Sequence, residues 1–161
     1  MLSEDQREDT LEHADDLSAV MMEILKDKLG DRMDAYAFPP PIFTAMEGEF
    51  TAFDLEEGSL TARFPVLESY LNPYRTMQGG MIASAVDNAL GPLSVLIAPA
   101  NVTRRLEMTY SRPITVDMGY ISVTARLLER KDRWLFFRAD VHSPEGLRLA
   151  RAKATHWILS G

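Results

Sequence analysis

An acid stands in the middle of the most apolar stretch of this chain of 161 residues. Read as a helix, Met81–Leu96 places apolar side chains in nearly every direction, and Asp87 falls about two turns in. A carboxylate among apolar groups is costly to desolvate and its pKa rises, so such a position is either neutralised by partners or kept as a base. The plainer alternative is that Asp87 reaches solvent through a gap. It could also bond with Asn88 near Gly91-Pro92, where the proline removes a helical hydrogen bond. Immediately ahead stands Gln78-Gly79-Gly80. Two glycines let another group approach the backbone, and the first N–H groups of a helix are unpaired and partly positive. Together they would make a donor site for a carbonyl oxygen that becomes an anion. A simple loop-to-helix turn would also need small residues there.

The spacing of the two features constrains how they could cooperate. Gly79 and Asp87 are separated by about 12 Å along a helix axis, at the usual rise per residue. One small carbonyl cannot touch both within a single chain. If they act together, the helices of two copies must lie antiparallel, which predicts a two-fold dimer with two equivalent interfacial sites.

Other chemistry is less well supported. The chain has no cysteine, which removes thiol nucleophiles and disulfides. His142 and His156 fall on predicted strands and His13 on an outer helix, without ligand spacing, so no metal site is expected. No serine sits in a nucleophile elbow and no glycine-rich phosphate loop is present. Arg104-Arg105 could attract a phosphorylated ligand, although such residues more often face outward from a sheet.

The elements that must hold these residues read as one domain with an added helix. Residues 1–34 carry 11 acidic and 4 basic side chains, the whole of the formal charge of −7. Within them Leu17, Val20, Met21, Ile24 and Leu25 recur at helical spacing, and Leu29-Gly30 is a helix stop. Residues 35–161 are balanced overall, with a basic surplus after Asp87. Phe38-Pro39-Pro40-Pro41 reads as an extended connector. Met46–Leu55 and Ser59–Val66 form a predicted hairpin about Glu56-Glu57-Gly58. After the apolar helix, Val102–Ser111, Gly119–Arg130, Arg133–His142 and Leu147–Leu159 alternate with period two. Two strands, one apolar helix and four strands make an α+β layout, in which an antiparallel sheet of five to six strands wraps round one long central helix.

No secretory leader is evident in MLSEDQREDT, and Asp87, Asn88, Gly91 and Pro92 interrupt the apolar stretch, so a buried helix is expected rather than a membrane span. The expected compartment is the cytoplasm. The acidic balance argues against a nucleic-acid partner.

These residues also carry a resemblance. Asn72-x5-Gln78-Gly79-Gly80-x6-Asp87-Asn88 resembles the signature of hot-dog-fold acyl-CoA thioesterases, in the phenylacetate-degradation branch. Leu106-Glu107-Met108-Thr109-Tyr110-Ser111-Arg112-Pro113 resembles that branch's strand ending in Tyr-x-Arg-Pro. The likeness runs from about Thr44 to Leu159 and leaves the acidic segment outside. It implies a hot-dog fold in residues 35–161, a homodimer or dimer of dimers, and hydrolysis of an acyl-CoA thioester, with no cofactor expected because CoA is part of the substrate. It implies roles as well: the Gly79 N–H polarises the thioester carbonyl, and the partner copy's acid, equivalent to Asp87, acts as base or nucleophile. Asn72 positions water or substrate, and Thr103 assists the acid. Apart from the resemblance, Gly80, Arg104 and Arg105 are the expected substrate-binding residues. Where the branch usually has His, this chain has Gln78, which can hydrogen-bond but does not titrate near neutral pH. That substitution leaves a non-catalytic acyl-CoA binder as the alternative. A hot-dog hydratase is a more distant one, since it needs a His near the Gly-Gly helix.

Overall fold

Helix α3 (Gly79–Ile97) is the axis on which the rest of the chain is wound. A computed structural model describes the backbone of residues 4–160 and the side chains of residues 16–160; His13 therefore lies outside the described side chains. Helix α1 (Glu4–Leu29) is followed by a 3-10 turn and the short helix α2 (Pro41–Ala45). The strands are β1 (Glu49–Asp54), β2 (Ser59–Pro65), β3 (Asn101–Tyr110), β4 (Tyr120–Lys131), β5 (Trp134–His142) and β6 (Arg148–Ile158). They form one antiparallel sheet in the order β1-β2-β4-β5-β6-β3. The expected α+β arrangement, a six-stranded sheet curled round one helix, is the one observed.

Period-two patterning explains which face curls inward. Leu60, Ala62 and Phe64 of β2, Ile121, Val123 and Ala125 of β4, and Leu135, Phe137, Ala139 and Val141 of β5 are all buried. Register places Ala125 opposite Ala139 and Ala139 opposite Ala152. This row of methyl groups across three strands lets an entire helix seat close to the sheet. From α3 the core receives Ile82, Ala85, Val86, Ala89, Leu90, Leu93 and Leu96. Among the described residues α3 is the one helix long and apolar enough to cross a membrane, and it is the helix that the sheet enwraps.

Several local expectations are corrected. Pro41 does not prolong the extended connector but opens α2, where its fixed φ and missing N–H suit a first helical position. Pro92 lies inside α3 without ending it. Asn88 is buried and donates Nδ2 to Ser84 O at 2.9 Å, so it is not a partner of Asp87. Above all, α3 is not enclosed on every side. Gly80 and Asp87 are exposed and Ser84 and Gly91 half-buried, a helical stripe that the sheet leaves open.

The acidic helix is fixed to this body by most of the stripe its sequence suggests, with Leu17 and Ile24 partly buried against the core. Met21 and Leu25 are fully buried while Val20 is half exposed. Near the end of α1, Lys28 donates Nζ to Val95 O at 2.7 Å and to Ala98 O. An ammonium thus satisfies carbonyls at the C-terminus of α3, where the helix carries partial negative charge. Lys28→Met, which keeps the stem and removes the donor, is expected to cost about 1 kcal/mol, a fall in Tm of about 2–4 °C. Differential scanning calorimetry checks it; an unchanged Tm removes this role from Lys28.

Candidate active site

The loop before α3 is tied down at each step. Asn72 Oδ1 accepts from Tyr74 N at 2.9 Å and Thr76 N at 3.2 Å, and its Nδ2 donates to Thr76 Oγ1 at 3.0 Å. Met77 N donates to Ile114 O, and Gln78 N to Tyr70 O, each at 2.8 Å. Gln78 is then the N-cap of α3, with an exposed side chain that makes no cap bond. Its carbonyl accepts from Met81 N and Ile82 N, so the N–H groups of Gly79 and Gly80 precede the first helical bonds. They form the donor end that the Gly-Gly pair predicts.

Tyr110 shapes that end. Its hydroxyl donates to Gly79 O at 2.7 Å. Burial pushes the phenol pKa up, which keeps it a donor. A methyl placed on Gly79 would lie 3.1 Å from Tyr110 Cζ, so only glycine fits without displacing the ring. Gly79, Tyr110, Ser111 and Arg112 line one open cleft of about 380 Å³. Arg112 offers the guanidinium there, whereas the sequence pointed to Arg104 and Arg105. Arg104 sits at the bulge of β3, and Arg105 pairs with Glu107 at 2.7 Å on the outer face, well along β3 from Tyr110.

Two turns down α3 stands the second half. Asp87 is exposed rather than buried, because it projects from the open stripe, yet it is not unpartnered. Thr103 Oγ1 donates to Asp87 Oδ1 at 3.1 Å. The same hydroxyl lies 3.3 Å from His156 Nε2, and His156 Nδ1 lies 2.8 Å from Asn101 Oδ1. His156 is 1% exposed. Burial holds its pKa below the ordinary imidazole value, with Asp87 pulling the other way.

Of the predicted residues, the fold therefore brings Asp87 and Thr103 together, and Gln78, Gly79 and Gly80 together, and keeps the two groups about two helical turns apart. Asn72 braces the loop of the second group. The sequence does not single out Asn101, raises His156 only as a metal ligand, and offers Tyr110 only through the Tyr-x-Arg-Pro motif. His156 meets Thr103 because β6 pairs with β3 in a register that sets the two opposite each other.

The whole-fold comparisons agree with the resemblance. A phenylacetic acid degradation-related protein of Ralstonia eutropha is 27% identical, with a TM-score of 0.70 over 79% of this chain and 97% of its own. PaaI of Escherichia coli, from the phenylacetic acid degradation operon, is 17% identical, with a TM-score of 0.72 over 85% and 97%. A hypothetical thioesterase of Streptococcus pneumoniae, determined with coenzyme A, is 18% identical, with a TM-score of 0.67 over 73% and 91%. No protein-family profile and no curated protein matches the chain. An antiparallel sheet wound on one central helix is shared with these proteins along nearly their whole length, so the chain has the hot-dog fold and is similar to thioesterases of the phenylacetate-degradation type.

Proposed function

We propose that the chain is an acyl-CoA thioesterase, hydrolysing a thioester to free acid and CoA at sites shared between two copies. The observation that carries this reading is the Asp87–Thr103 pair, a carboxylate held by a hydroxyl on the open face of α3. It faces away from its own core and is available to a substrate bound at a second copy's Gly79 end. The Ralstonia relative is described as a candidate thioesterase, and the Streptococcus one holds coenzyme A, which supports the same substrate class.

In this reading the thioester carbonyl oxygen accepts from the Gly79 N–H of one copy. Asp87 of the other takes a proton from water, whose oxygen attacks the carbonyl carbon. Collapse of the tetrahedral intermediate breaks the C–S bond, and the CoA thiolate recovers the proton. Asp87 could instead attack directly, forming an anhydride that water then opens. No cofactor is required by either course.

The surface favours a second copy. β3 ends the sheet with an unpaired edge, and Val102 and Tyr110 on it are 41% and 49% exposed. A long unprotected edge invites pairing with another chain. The adjoining stripe of Gly80, Ser84 and Gly91 presents little bulk to an approaching helix. A dimer of dimers would need a further face.

Turnover of a panel of short, medium and aryl acyl-CoAs tests the reading, with light scattering alongside. Hydrolysis of at least one ester by a dimer is the expected result. Tight CoA-ester binding in calorimetry without turnover would establish the binding-protein alternative, which Gln78 favours. A monomer at micromolar concentration would overturn the shared site.

A further inference from the structure

The buried polar chain behind Asp87 has a direction that its hydrogen bonds define. Asn101 Nδ2 donates to Pro99 O at 2.9 Å and to Ser94 O at 3.3 Å. Both partners are carbonyls, which only accept, so the amide cannot be turned round. Asn101 Oδ1 therefore faces His156 Nδ1 as an acceptor, 2.8 Å away, and Nδ1 must carry a proton. Neutral His156 then has a bare lone pair on Nε2, pointing at Thr103 Oγ1 from 3.3 Å. Thr103 owns one hydroxyl proton, while two acceptors, Asp87 Oδ1 and His156 Nε2, lie within reach of it.

We propose that His156 is a positioning residue that decides where the Thr103 proton goes, and through it how strong a base Asp87 is. With His156 neutral, Nε2 competes for the hydroxyl proton that Thr103 donates to Asp87, which loosens that bond and leaves the carboxylate the stronger base. With His156 protonated, Nε2–H donates to Thr103, whose proton then locks onto Asp87 and weakens it as a base. This inference rests on Asp87 acting as a base in the proposed reaction.

The surroundings suit a switch of this kind. The groups that face His156 are Thr103 and Asn101 from β3, Leu135 and the Phe137 ring from β5, and Asp87 from α3 by way of Thr103. Asp87 is the charged one among them. Because burial keeps the imidazole below its usual pKa, the neutral form prevails at neutral pH and the protonated form enters as the solution is acidified.

The test is kcat/KM against pH for wild type, Thr103→Val, His156→Leu and His156→Gln, with ¹⁵N NMR of the His156 ring. NMR of wild type at pH 7.5 is expected to show Nδ1 protonated and Nε2 bare. The wild-type profile should fall with two ionisations on the acid side. Thr103→Val breaks the link with His156 still in place and should leave one ionisation, at lower pH. His156→Leu gives Thr103 no other acceptor than Asp87 and should lose about tenfold at neutral pH, the typical effect of one hydrogen bond to a charged group. His156→Gln, whose carbonyl can accept from Thr103, should recover most of that loss without the higher ionisation. Unchanged acid limbs in Thr103→Val and His156→Gln overturn the proposal, as does a proton on Nε2 in place of Nδ1. Should no ester be hydrolysed, the function reading fails, and NMR alone decides whether the tautomer and its coupling to Thr103 are as described.

Discussion

Asp87→Asn is expected to lower kcat/KM for the best acyl-CoA substrate by about 10²- to 10⁴-fold, the usual effect of removing a positioned base. The variant isolates chemistry from structure unusually well. Asp87 is exposed in its own chain, so the amide creates no cavity and leaves no core charge unpaired. The Asn oxygen can still accept the Thr103 hydroxyl that Asp87 Oδ1 now accepts at 3.1 Å, so β3 and α3 remain connected. What disappears is the ability to hold a proton, and with it both the general-base and the nucleophilic course. Steady-state kinetics with calorimetry checks the prediction: activity should collapse while Tm stays within a few degrees. Equal rates for the two proteins would remove Asp87 from the mechanism. A reduced rate with a large fall in Tm would assign it to stability instead.

The exposure of Asp87 also shows where sequence reasoning reached its limit. Counting apolar directions round Met81–Leu96 located the core helix, and the spacing of Gly79 from Asp87 separated the site into two halves. The same count did not place Gly80, Ser84 and Gly91, because small residues carry no strong signal for either environment. Only the width of the curled sheet determines which stripe stays open, and that depends on the alanine row Ala125-Ala139-Ala152 in three strands. Strands were legible from period two, and turns from residues such as Gly58, whose φ of 61° suits the hairpin. Strand order was not, since it depends on pairings between distant segments. His156 illustrates the cost. It lies 53 residues from Thr103 and becomes its neighbour through one ladder between β3 and β6. A polar residue on the otherwise apolar inward face of a strand, between Ala154 and Ile158, was the one available signal.

At the other half of the site the expected result concerns a single methyl group. Gly79→Ala should reduce kcat by about 10²- to 10³-fold, the usual cost of losing one oxyanion donor, with KM little changed. The new Cβ would sit 3.1 Å from Tyr110 Cζ and 3.2 Å from its hydroxyl oxygen. Tyr110 is held by its 2.7 Å bond to Gly79 O, and the Gly79 backbone is held by the neighbouring Gln78 N–Tyr70 O bond. Relief comes from a shift of a few tenths of an ångström in the Tyr110 ring or in the first peptide of α3, and either one disturbs the Tyr110–Gly79 bond that orients the N–H toward the developing oxyanion. A carbonyl in the ground state tolerates such a shift better than an anion does, which is why the loss should fall on kcat. Gly80→Ala makes an informative comparison, because a methyl there meets nothing within 4 Å in its own chain and any loss it causes must come from the substrate or the second copy. Both proteins should fold alike by circular dichroism. If Gly79→Ala retains wild-type kcat, the helix end is a packing turn and the oxyanion must be stabilised by other groups.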